Sequence, residues 1–195
     1  PNDSVYPQMA DFTFYGGIYR DVTLIGVPKN HFDLDYCGAP GIMVTPIVKG
    51  VNAEVTIKAF CNTDSEVEFE ITEGNEVIGT AKTSGKNPEV TITIANAHLW
   101  HGIDDPYLYT ATVRLMENGS TVDEISARFG CRSFDIDPDK GFILNGKEYP
   151  LRGVSRHQDR PKIGNALMPE HHSEDIELIY EMGANTIRLA HYQHS

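Results

Sequence analysis

The sequence predicts a mainly β chain: a β-sandwich of the immunoglobulin type, followed by the first strand–helix–strand unit of a parallel sheet. Three observations carry this. Short segments in the middle alternate strictly, as in Glu66-Val67-Glu68-Phe69-Glu70-Ile71, and a period of two marks a sheet with one core face and one wet face. Turn-forming pairs punctuate them, notably Gly74-Asn75, Asn118-Gly119 and Asn145-Gly146, with Asn-Gly the strongest short hairpin signal. Beyond residue 150 a strand, a helix and a strand follow in order, which is a βαβ unit.

The elements run as follows. Residues 1–30 read as irregular and then strand-like, with Tyr19, Val22, Leu24 and Val27 as strand formers and Gly16-Gly17 as a turn; Pro28-Lys29-Asn30 reads as a linker. Val55, Ile57 and Ala59 share one face of the next strand, and Val90, Ile92 and Ile94 repeat the pattern. Tyr109, Ala111 and Val113 oppose Leu108, Thr110 and Thr112. Six or seven such strands in about 100 residues fit a sandwich. A hairpin around Asn145-Gly146 precedes a strand at Leu151–Ser155. A helix is then expected with Ser173 as N-cap, Glu174 and Asp175 in its first turn, Ile176, Ile179 and Met182 at helical spacing, and Gly183 just past its end. Asn185–Ala190 is the second strand. A two-stranded parallel sheet with one helix cannot cover both its faces, so the chain reads as part of a longer protein, with Val154, Ile187 and Leu189 exposed or covered by a neighbour.

Composition excludes several partners. The net charge is −12 over 195 residues, which argues against nucleic acid, since phosphate binding needs a basic face. No run approaches the length of a membrane span, and no leader peptide is visible. The acids concentrated at Glu54, Asp64, Glu66, Glu68, Glu70, Glu73 and Glu76 read as a solvated sheet face. Cys37, Cys61 and Cys131 are too few and too widely spaced for a disulfide framework or zinc motif, and read as packed thiols.

Chemistry gathers where the parallel strands end. Arg156, His157, Gln158, Asp159 and Arg160 follow the first strand; Arg188, His191, Tyr192 and His194 end or follow the second. In parallel α/β barrels active sites lie at that rim. Directional donors and acceptors, guanidiniums and an aromatic face suit a polyhydroxylated ligand such as a sugar. The same residues also read as braces, because Arg–Asp contacts often fix a loop. Adjacent His171 and His172 point apart at a helix start and make a poor metal pair.

The stretches FYGGIYRDVTL, LWHGIDDPYLYTATV, FGCRSFDIDPDKGFILNGKEYPLRGVSRHQDR and DIELIYEMGANTIRLAHYQHS resemble family 2 glycoside hydrolases, and the bacterial β-galactosidases in particular. The resemblance implies residues 1–27 as the end of a jelly-roll domain, 28–134 as the immunoglobulin-like sandwich and 135–195 as the start of a (β/α)8 barrel. It implies sugar contacts at His157, Asp159, Arg188 and His191, and a further acid near the sugar and a sodium ion at Asp11, although Thr13 stands where the family has tryptophan. Magnesium and sodium belong to the full-length enzyme in this reading, with no cofactor in this segment. The parent would act on β-galactosides as a bacterial cytoplasmic or periplasmic enzyme, with a homo-oligomer allowed.

A retaining glycosidase needs two carboxyl groups about 5–5.5 Å apart. The family places them after the fourth and seventh barrel strands, so no catalytic residue is assigned here and the segment alone is expected to be inactive. Asn75-Glu76 imitates the family's Asn-Glu pair but falls in a sandwich hairpin. Two alternatives stand: a β-glucuronidase or β-mannosidase of the same family, or a non-catalytic sandwich that binds carbohydrate.

Overall fold

The computed structural model describes residues 13–36 and 40–194. The chain divides into two compact units, one of residues 25–150, the other of residues up to 24 together with those from 151 onward.

The first unit holds the sandwich. Strands β1 (Ile42–Lys49), β2 (Asn52–Ala59) and β5 (Glu89–Ile94) form one antiparallel sheet in the order β1-β2-β5. Strands β3 (Ser65–Glu73), β4 (Glu76–Gly85), β6 (Tyr109–Glu117) and β7 (Ser120–Phe129) form the other in the order β4-β3-β6-β7. The alternating residues meet between them: Val55, Ile57, Val67, Phe69, Ile71, Tyr109, Ala111, Val113 and Leu115 are all buried in one cluster. Full burial of each larger side chain contributes about 1.5–3 kcal/mol. The outward acids find cations, with Lys82 bridging Glu66 and Glu68 and Arg114 bridging Glu70 and Glu124, so the acidic run is the sheet's wet face.

The turns follow the sequence. Asn118 and Gly119 both take positive φ, 49° and 77°, between β6 and β7, the geometry of the tight hairpin that Asn-Gly favours. Asn145-Gly146 does the same between β9 (Gly141–Leu144) and β10 (Lys147–Glu148). These pair with β8 (Phe134–Asp137) in a small antiparallel sheet of the same unit. Trp100 is half-buried with Arg132 stacked 4.9 Å from its ring centroid. Cys61 and Cys131 are buried free thiols; Cys37 lies outside the described residues.

The second unit carries the βαβ unit: β11 (Gly153–Arg156), α1 (Pro169–Glu181) and β12 (Thr186–Leu189). The two strands pair in parallel from Gly153 opposite Thr186 to Arg156 opposite Leu189. A β-carbon on Gly153 would overlap the Thr186 carbonyl oxygen, so glycine sets how closely the strands approach. Gly183, at φ 85°, follows the helix C-cap Met182 as expected.

Four expectations need correction. The helix begins a turn earlier than Ser173: Met168 caps it, Pro169 occupies the first helical position and the Met168 N–H donates to His171 Nδ1 at 2.9 Å. The signal overlooked is proline, whose missing N–H costs nothing there. Ser173 Oγ instead donates back to the Pro169 carbonyl. The strand at 151–155 is shifted to Gly153–Arg156, with Leu151 exposed. Residues 13–31 form no strand despite their β-formers, because no neighbouring strand pairs with them; Ile18, Val22 and Leu24 stand exposed. Of the three barrel-strand apolar residues Leu189 is exposed, at 58%, while Val154 and Ile187, which lie opposite one another in the register, are half-buried.

Candidate functional site

The site is built from the carboxyl ends of β11 and β12. Strand alternation sends Arg156 to one face and its neighbour Ser155, opposite Arg188, to the other. This separation decides what the arginines do.

On the helix side Arg156 is buried, and its guanidinium meets Asp175 of α1. Nε and Nη2 donate to Asp175 Oδ2 at 2.9 and 2.5 Å. Arg160, five residues past the strand's last paired residue but one, donates Nη2 to the other oxygen, Oδ1, at 2.6 Å. One carboxylate thus holds two guanidiniums. Burial works against its ionisation, but the hydrogen bonds and charges of Arg160 and Arg156 outweigh it and hold the carboxyl below its ordinary value. Arg156 also donates Nη2 to His172 Nδ1 at 3.0 Å and Nη1 to His194 Nδ1 at 3.2 Å. A guanidinium can only donate, so both rings present a bare Nδ1 and carry their proton on Nε2. The His194 Nε2 lies 3.4 Å from the Ala190 carbonyl, where that proton has an acceptor. Burial and the Arg156 charge push the His172 pKa down.

On the other side the histidines gather. Arg188 Nη2 donates to His191 Nδ1 at 3.0 Å. The His157 and His191 rings meet edge to face with centroids 5.2 Å apart. Tyr192 lies edge-on to His157 at 6.0 Å and stacks with His194 at 5.3 Å. Its hydroxyl accepts the Gln158 N–H at 3.0 Å, which ties the two strand ends together. His191, Tyr192 and His194 line an open hollow of about 790 Å³. The chemistry suits a polar, hydroxyl-bearing ligand: imidazole N–H groups and a guanidinium to donate, and an aromatic face.

The structure therefore brings His157, Arg188 and His191 together. Asp159 is exposed and lines a different hollow, of about 470 Å³, with Tyr15, Arg160 and Lys162. Asp11 lies outside the described residues. Arg156 and Arg160 serve as braces rather than as rim donors, one of the two roles their sequence allowed.

Two matches to known families cover most of the chain: glycosyl hydrolases family 2 at residues 41–132, and the TIM barrel domain of glycosyl hydrolases family 2 at residues 136–195. The chain belongs to glycosyl hydrolase family 2. A β-glucuronidase of Bacteroides fragilis is 40% identical over 96% of this family 2 chain, which spans 29% of that protein. The crystal structure of an FMN-binding β-glucuronidase from Facaelibacterium prausnitzii L2-6 superposes with a TM-score of 0.93 at 48% identity, covering all of this chain and 31% of its own. A putative β-galactosidase of Bacteroides fragilis superposes with a TM-score of 0.81 at 35% identity, over 87% of this chain and 27% of that one. Curated relatives named β-galactosidase align at 28–31%, and one named β-glucuronidase at 29%.

Among the described residues of the family 2 chain, no group of three or more His, Cys, Asp or Glu could hold a metal ion. The magnesium and sodium implied by the resemblance thus find no ligand set among these residues. The sequence placed Asp175 in the first turn of the helix and weighed His172 only as half of a poor metal pair; neither was assigned to the site. Asp175 reads as helix surface by periodicity, and the signal for it was indirect: two arginines leaving one strand need an anion, and the next element supplies one.

Proposed function

We propose that this chain forms the sandwich and the opening barrel strands of a retaining glycosidase that releases glucuronic acid from β-glucuronides. The observation that carries the choice of sugar is the identity of 40% and 48% to two β-glucuronidases over nearly the whole chain, against 28–35% to proteins named β-galactosidase. This moves the reading from the β-galactoside expected from the sequence to its stated alternative.

In this reading one carboxylic acid protonates the leaving oxygen while a second carboxylate attacks the anomeric carbon. Water then releases the sugar with the first group acting as base. Both carboxylates come from outside this chain; Glu76 sits at the start of β4, next to the hairpin turn. The chain's own part is to hold the sugar. His157 and His191 offer N–H groups to ring hydroxyls, and Arg188 fixes the His191 tautomer by donating to its Nδ1.

Side-by-side rates on aryl β-D-glucuronide and aryl β-D-galactoside, with enzyme from the complete reading frame, test the proposal. A kcat/KM at least tenfold higher on the glucuronide is expected; the reverse order returns the substrate to β-galactosides. The 195-residue chain alone is expected to hydrolyse neither.

A further inference from the structure

Asp175 lies on α1 and does not line the hollow that His191 lines, yet it is the helix side chain that both strand-end arginines share; Arg160 also reaches Glu174 and the His171 carbonyl. Asp175 takes Arg156 on one oxygen and Arg160 on the other. Arg156, so fixed, donates to both His172 and His194. His194 stacks on Tyr192, and Tyr192 meets His157 edge-on and accepts from the Gln158 backbone. The sequence of contacts runs from the helix through a buried guanidinium to the side chains that face the sugar.

We infer that Asp175 is a positioning residue for the sugar-binding rim: by anchoring Arg156 it sets the orientation and tautomer of His194, and through Tyr192 the place of His157. This rests on the glycosidase reading above, and it assigns Asp175 no contact with substrate. A guanidinium held by a carboxylate has fixed N–H directions, and two imidazoles within 3.2 Å of it can only accept. Exchange of the carboxylate for an amide places an NH2 or a neutral oxygen before two guanidiniums. Arg156 then loses its anchor, and the histidines lose the donor that selects their tautomer. A rim side chain displaced by about 1 Å can cost on the order of 100-fold in rate.

Two measurements test this, and they fail separately from the functional proposal. The first uses the complete enzyme labelled with ¹⁵N-histidine. His172 and His194 are expected to show bare Nδ1 and protonated Nε2 in the wild type, and a tautomer mixture in Asp175→Asn. Protonated Nδ1 on both rings in the wild type overturns the inference whether or not the variant folds. The second uses the complete enzyme, with kcat/KM on the aryl glycoside expressed per titrated active site, well below the melting temperature. Asp175→Asn is expected to fall about 10- to 100-fold, mostly in kcat, and His194→Ala to fall as well. A merely structural role would lower the fraction of active sites and leave the per-site value within twofold; that result overturns the inference. Should the wild-type enzyme cleave no β-glycoside, the functional reading fails, while the tautomer measurement still decides the positioning.

Discussion

Arg156 and Asp175 meet through two hydrogen bonds to a single oxygen, Nε at 2.9 Å and Nη2 at 2.5 Å, with the guanidinium only 9% exposed and the carboxylate 23%. The pair joins the end of β11 to α1. Removing one partner of such a pair leaves the other charge poorly compensated, at about 3 kcal/mol. Asp175→Asn is therefore expected to destabilise the chain by about that amount at pH 7, read from denaturant unfolding.

The same pair shapes acid stability. The Asp175 pKa is lower in the folded chain than its ordinary 3.8. Its contribution is accordingly complete above about pH 4 and is lost as the pH falls through the folded value. Unfolding curves below pH 4 should be flatter in Asp175→Asn than in the wild type. His172 adds to this from higher pH: its folded pKa is lowered from 6.5 by burial and Arg156, so protonation opposes folding and stability declines as the pH drops below about 6.5. His172→Gln should remove that decline.

Gly153 sets the spacing of the parallel strands. Gly153→Ala drives a methyl group into the Thr186 carbonyl, a backbone atom that cannot swing aside as a side chain does. Overpacking of this kind typically costs about 1–3 kcal/mol. Faster hydrogen exchange is expected at the amides of β11 and β12, with the sandwich amides unchanged.

The buried thiols should be inert. Burial pushes Cys131 up to about 11, and burial together with Asp123 does the same for Cys61. Since the thiolate is the nucleophile, both are expected to resist a disulfide reagent at pH 8 in the native chain and to react at once in denaturant.

The sandwich was legible because its signal is local and redundant. Val67, Phe69 and Ile71 alternate with three glutamates, and only one register buries the former; Asn118-Gly119 and Asn145-Gly146 fix the hairpins independently. The rim was half legible. His157, Arg188 and His191 could be placed by counting from strand ends, since the parallel register brings those ends together. The division of labour among the arginines could not be read, because it depends on which face each strand position takes: Arg156 and Arg188 look alike in sequence, and a shift of β11 by one residue would send Arg156 to the face that Arg188 takes. Asp175 was hidden for a related reason. A helical acid is ordinarily solvated, and only the position of two arginines in space makes this one a partner.

In the proposed function the ends of β11 and β12 form one wall of a uronic-sugar pocket. The direct test is a crystal structure of the complete enzyme labelled covalently by cyclophellitol-6-carboxylate aziridine. His157 and His191 are expected within hydrogen-bond distance of the ring hydroxyls, with Arg156 still on Asp175. A bound sugar that touches neither histidine, or one contacted directly by Arg156, would contradict it.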